Sequence, residues 1–151
     1  RVAHNRRVAR QAGALSTERR AVEIVRSEEE ARGRKVTGLS KIQEREYGCD
    51  LLSDGPNGRE YVEVKGWGEP LLGANGTFTF PADLNAEQYE TACREGARFR
   101  LEIVADLSAE RKAPGHYQRL SLTGDDIRQL ATPWRYRLPL DDLADRVASR
   151  P

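Results

Sequence analysis

Twelve residues separate Asp50 from Glu63-Val64-Lys65-Gly66. Two carboxylates and an ammonium at this spacing can meet on one face of a β-hairpin, and together they suit a divalent cation and a phosphate diester. The runs Tyr47 to Ser53 and Arg59 to Gly66 are strand-like and flank the turn-rich stretch Asp54-Gly55-Pro56-Asn57-Gly58. A turn centred between Pro56 and Asn57 sets Asp54 opposite Arg59 and Asp50 opposite Glu63, with facing Cβ atoms roughly 5 Å apart. Period-two alternation brings Lys65 onto the same face and sends Val62 and Val64 to the other.

Facing carboxylates repel, so the pair makes physical sense with a cation between them. Magnesium, a hard ion held by one or two carboxylates plus waters and phosphate oxygens, is the natural candidate. Lys65 would then orient or deprotonate an attacking water, or steady charge on phosphate oxygens. A hairpin with ordinary charged residues on its wet face remains the competing reading.

The elements that must position these groups can be traced along the chain. Residues 1–13 form a basic arm or linker, with Arg1, Arg6, Arg7 and Arg10 ahead of any acidic residue. Such an arm reads either as a nucleic-acid contact or as a solvated segment. Ser16-Thr17 offers a cap for a helix running to Arg32, with Gly33 as its stop. On that helix Ala21, Val22, Ile24 and Val25 form the apolar side and Glu18 looks inward, as a site carboxylate or as a first-turn acid favoured by the helix dipole. Glu29 also projects towards the apolar side, but about three turns and roughly 16 Å along, so the two glutamates cannot share one metal.

Lys35 to Leu39 reads as a first strand, followed by a polar stretch to Glu46. Gly66 to Thr77 is a loop in which Trp67 either stacks on a base or half-buries against the sheet. Thr77 to Phe80 alternates as a short strand would, and a second helix spans Asn85 to Gly96. Phe99 to Ala105 and Tyr117 to Leu122 are strands, Thr123-Gly124-Asp125-Asp126 opens a helix, and Trp134 to Leu140 is a final edge strand kept short by Pro133 and Pro139. The order is α/β with a central mixed sheet flanked by helices. Residues 14–140 form one domain and 141–151 a polar tail.

The 151 residues carry a net charge of +1 and 38% hydrophobic content, enough for a single modest core. Only Lys35, Lys41, Lys65 and Lys112 are lysines, so a lysine within the motif does not reflect lysine abundance. Cys49 and Cys93 are too few and too far apart for a zinc site or disulfide framework and read as reduced, buried residues. No run reaches the length of a membrane span and no signal segment opens the chain, which points to a cytoplasmic setting. A start at Arg1 and the absence of methionine suggest a module of a larger protein.

The segments Gly48-Cys49-Asp50-Leu51-Leu52 and Tyr61-Val62-Glu63-Val64-Lys65-Gly66 resemble the Asp…Glu-x-Lys signature of the PD-(D/E)XK nuclease superfamily, the restriction-endonuclease-like fold. Glu18-Arg19 opening a helix, Ala21, Ile24-Val25, Glu29 to Gly33, Ala92 and the strand Phe99 to Ala105 extend the likeness to the NO VEIN C-terminal type of nuclease-like domain, over about residues 16–105. The resemblance implies a restriction-endonuclease-like core and metal-dependent phosphodiester hydrolysis, usually of DNA. It implies that Asp50, Glu63 and the Val64 backbone carbonyl hold magnesium (manganese as substitute), that Lys65 assists catalysis, and that Glu18 is an added helix carboxylate and metal ligand. Helicase-like or phage-defence proteins are the implied partners. Gln88-Tyr89 stands where this type usually carries Glu-Trp, a departure that argues against a site role for that helix. The alternatives are a non-catalytic nucleic-acid-binding or docking module that keeps the fold, and a structural interaction domain with an incidental acidic hairpin.

Overall fold

The computed structural model describes residues 2–80, 82–131 and 137–138, with side chains over 16–80 and 82–131. Five strands form one sheet in the order β1 (Lys35–Gly38), β2 (Leu51–Gly55), β3 (Gly58–Gly66), β5 (Phe99–Ala105), β6 (Gln118–Thr123). All neighbours are antiparallel except β3 and β5, which run parallel. A parallel pair needs a crossover. This one carries the two-residue strand β4 (Ala82–Asp83) and the helix α3 (Ala86–Glu95). The sheet is mixed and open, with helices on both faces, as a restriction-endonuclease-like core requires.

Strand alternation divides the core in two. Val62, Val64 and Val104 turn towards the long helix α1 (Val2–Ala31) and pack with its Ala21, Ile24 and Val25. Phe99, Leu101 and Ile103 turn the other way, to Ala92 of α3 and Ile127 of α5 (Gly124–Leu130). Most of these side chains are fully buried. Each removes apolar surface worth about 1.5–3 kcal/mol, which holds the two helical layers to the sheet.

Towards the C-terminal end of α1 the same interface is ionic. Glu29, 1% exposed, accepts from Ser53 Oγ at 2.7 Å and lies 3.1 Å from Arg34 Nε and 2.8 Å from Arg100 Nη2. Burial pushes its pKa up, but the bonds from Ser53 and Arg100 outweigh that and hold it below the usual value. Arg100 Nη1 continues to the buried Glu102 at 2.9 Å, which also takes Arg119 Nε and Ser121 Oγ, each at 3.0 Å. Glu29 is therefore a fastening of α1 to the sheet, well away from Asp50.

Several local expectations are revised. The long helix begins at Val2, so Ser16 and Thr17 are interior residues and not a cap. Alanine, arginine and leucine propagate a helix through them, and both hydroxyls accept instead from Arg111 Nη2. The polar stretch before Glu46 contains a helix, α2 (Lys41–Tyr47), started by a capping box between Ser40 and Gln43. It buries no residue, so no apolar period announced it. Tyr47 thus ends a helix, and the following strand starts only at Leu51. Thr77 to Phe80 forms a single bridge, Leu72 to Phe78, in place of a strand. Of the expected last strand only β7 (Arg137–Leu138), paired with β4, is described; its remaining positions and the 141–151 tail lie outside the described residues. A one-turn helix, α4 (Leu107–Glu110), follows β5. Among the described residues no helix is long and apolar enough to cross a membrane.

Removing one partner of a buried ion cluster leaves uncompensated charge, so Glu29→Ala is expected to cost about 3–5 kcal/mol. Urea unfolding of the variant measures this, and a loss below about 1 kcal/mol would mean that the cluster does not hold α1.

Candidate functional site

Strand β3 continues past the end of β2, and the site lies in the gap. The hairpin pairs Asp54 with Arg59 and Leu51 with Val62, so Asp50 sits one residue beyond the last pair, beside Glu63. Its own N–H still bonds the Val62 carbonyl at 3.0 Å. Its carboxylate turns into the gap, and Oδ2 accepts the Val64 N–H at 2.8 Å. That N–H would otherwise have lost its ladder partner where β2 stops. In an extended strand a residue's N–H and C=O project to the same side, so the Val64 carbonyl also faces the gap.

Glu63 is 2% exposed and points away from α1, towards α3. Its Oε1 accepts from Lys65 Nζ at 2.5 Å and from Gln88 Nε2 at 2.5 Å. The alternation of β3 thus brings Asp50, Glu63 and Lys65 together, as the hairpin spacing predicts. Gln88 revises the expectation that α3 stays out of the site. It is the third residue of α3, and its Oε1 accepts the N-cap Asn85 N–H at 2.9 Å. With the amide oxygen committed to the cap, the amide nitrogen is aimed at Glu63. Asn85 and Gln88 form a capping box at the start of α3, and Gln88 reaches from there across 25 residues of chain to Glu63.

Close backbone contacts fix these elements against one another. Gly48 closes α2 at φ +62°, and a Cβ there would stand 2.4 Å from the Glu87 carbonyl oxygen of α3. Gly66 ends β3 where a Cβ would lie 2.7 Å from the Thr17 carbonyl oxygen of α1. The first contact sets Asp50 and Gln88 side by side; the second brings Glu18 to the end of β3. Glu18 is exposed, sharing one hollow with Asp50 and another with Lys65. A third hollow, of about 250 Å³, is lined by Asp50, Glu63, Gln88, Lys41 and Glu44 among others. Glu44 was not singled out in the sequence, because α2 was not recognised.

The electrostatics follow from burial. Glu63 is pushed up to about 8, by burial first and by the Asp50 charge second, with Lys65 opposing both. Asp50 is raised by burial as well, and the Val64 N–H and Lys65 counter part of that. Burial pushes the Cys49 thiol to about 12, so it is no nucleophile. Burial is the first cause of both carboxylate shifts. Among the described residues no three Asp, Glu, His or Cys side chains converge as a complete cage. The two carboxylates and the Val64 carbonyl are hard oxygen donors of the kind magnesium takes alongside waters and substrate oxygens, and are not the donors of a thiolate or imidazole metal.

With this geometry in place, the comparison with known families is decisive. The family model of the protein NO VEIN C-terminal domain matches residues 17–117, well over half of the chain. The chain belongs to that family. It is a nuclease-like domain of the PD-(D/E)XK type, and the matched span contains Glu18, Asp50, Glu63, Lys65 and Gln88. No curated protein and no solved structure matches the chain.

Between the ordinary glutamate value of 4.5 and about 8, the folded chain keeps a Glu63 proton that the unfolded chain has lost. Stability of the metal-free protein is therefore fully favoured by this group at the acidic end and falls as the pH rises through that window. Glu102, raised to about 7 chiefly by burial, adds a fall of the same sign. Thermal melts are expected to show a lower Tm at pH 8 than at pH 5, with a shallower fall for Glu63→Gln; an unchanged slope in that variant would contradict the buried-acid account.

Proposed function

We propose that this domain is a magnesium-dependent nuclease that hydrolyses phosphodiester bonds, with DNA as the leading substrate. The observation that carries the reading is the convergence of Asp50 and Glu63 at the end of β3, with Lys65 Nζ 2.5 Å from Glu63. Asp50, Glu63 and the Val64 carbonyl would hold the ion, with Glu18 as an outlying carboxylate and manganese as a substitute. When bound, the metal supplies charge for the phosphate oxygens and lowers the pKa of a water.

The chain's own groups account for the remaining work. Asp50 ties its carboxylate to the β3 backbone through Val64, which limits its motion. Gln88 holds Glu63 from α3 and so fixes the carboxylate between two elements. Lys65 donates to Glu63 Oε1 in the resting site. It would donate its ammonium N–H to a phosphate oxygen or to the attacking water. The family's nuclease-like character supports the reading; attachment to a helicase-like or phage-defence protein rests on the resemblance.

One observation favours a second reading. Both carboxylates already have protein donors, Val64 and Gln88 with Lys65. A fold-retaining module that binds nucleic acid without cutting would keep just such an internally satisfied pair.

Labelled DNA and RNA, single and double stranded, are incubated with the protein in magnesium, manganese or chelator. Cutting is expected only with metal. Asp50→Asn keeps an acceptor for the Val64 N–H and Lys65→Ala removes the ammonium; each is expected to lower the cleavage rate about 10²–10³-fold at unchanged Tm. Wild-type inactivity in both metals, with nucleic acid still bound, would give the reading to the non-catalytic module.

A further inference from the structure

Past Lys65 the chain enters a recess of about 390 Å³ that the proposed chemistry does not use. It is lined by Gly66-Trp67-Gly68 and Phe80, together with Lys65 and Glu18. The Trp67 and Phe80 rings are 5.2 Å apart at 62°, an edge-to-face corner. Both are only partly buried, although an aromatic pair of this kind is worth most when it is covered.

Trp67 is held rigidly. Its backbone N–H bonds the Val104 carbonyl at 2.8 Å, its carbonyl accepts from Leu107 at 3.2 Å, and its indole N–H donates to Thr79 Oγ1 at 3.1 Å. With the polar edge of the indole satisfied by the protein, what the ring offers to the recess is an apolar surface. The glycines on either side pack closely against neighbouring segments. A Cβ on Gly66 or Gly68 would stand 2.7 Å from the Thr17 carbonyl oxygen or 3.2 Å from Ser108 Oγ.

We infer that this recess receives a nucleobase of the strand whose phosphate is held at Asp50, Glu63 and Lys65, so that the substrate presents an unpaired nucleotide there. The inference rests on the nuclease reading for the position of the phosphate. Lys65 lines the recess and its Nζ lies 2.5 Å from Glu63 Oε1, so one nucleotide can reach both. A flat ring matches an aromatic corner, and the volume lies in the range of pockets that take small flat ligands. In a duplex the base is stacked on both faces and paired along its edge, so it enters only from a single strand or after extrusion. Stacking accepts every base, which agrees with a lining that is mainly apolar.

The test compares wild-type binding, with calcium in place of magnesium, of four probes: oligothymidylate, oligouridylate, a DNA duplex, and a single strand of the same length carrying abasic sugars. The base-bearing single strands are expected to bind about ten- to a hundredfold more tightly than the abasic strand, the range of one or two stacked bases, and to quench tryptophan fluorescence. Trp67→Ala is expected to abolish that preference while leaving abasic-strand binding unchanged. Phe80→Leu, with a smaller effect, serves if Trp67→Ala does not fold. Preference for oligothymidylate over oligouridylate, or the reverse, assigns the sugar of the same ligand class and supports the recess either way. Equal affinity for base-bearing and abasic strands, or duplex binding as tight as single-strand binding without a quench, overturns the inference. Cleavage in magnesium is scored in parallel. Cutting without a base requirement leaves the nuclease standing and removes the recess, whereas base-dependent binding without cutting supports the recess and removes the nuclease.

Discussion

Two carboxylates are held side by side where β2 ends and β3 goes on, and the arrangement of the molecule follows from that constraint. Asp50 stays in place because its Oδ2 takes a backbone N–H that the shorter strand no longer pairs. Glu63 stays in place because Lys65 and Gln88 both donate to its Oε1. Burial next to Asp50 pushes Glu63 up to about 8, so at neutral pH the site favours its proton over its charge. Burial and the neighbouring Asp50 charge both penalise a bare Glu63 carboxylate.

That arrangement needs both faces of the sheet. On one face α1 is joined by an apolar contact near Ala21 and Val25 and by the buried cluster around Glu29 and Arg100. This double attachment presses Thr17 against Gly66 and sets Glu18 at the rim of the site. On the other face α3 meets Gly48 and delivers Gln88. The parallel pairing of β3 with β5 puts α3 there, since the crossover between them has to pass over that face. Topology and site chemistry are therefore one constraint: without the crossover there is no donor for Glu63 from that side.

Legibility in the sequence followed the range of the interaction. The Asp54–Arg59 register and the common face of Glu63 and Lys65 depend on residues a few positions apart, and both are readable. Phe99 to Ala105 was readable as a strand because it is apolar almost throughout, as a strand covered on both faces must be. The helix α2 was not, because it buries nothing and so carries no period. The extension of α1 before Ser16 was also missed, because local cap chemistry is overridden when the preceding residues favour helix. Gln88 was discounted on its departure from the family pattern, although an amide can fill by hydrogen bonding a place beside Glu63 that an acid would fill by charge.

By itself the sequence determined which residues share a strand face and which turn joins them, because alternation and turn length are properties of a few consecutive peptide units. Only the tertiary structure decided how deeply Glu63 is buried, which donors reach it, and that Trp67 and Phe80 form a corner beside Lys65. Those features depend on segments far apart in the chain that exclude water together. The dielectric around a carboxylate, and hence its readiness to hold a proton or a metal, is not a property of its neighbours in sequence.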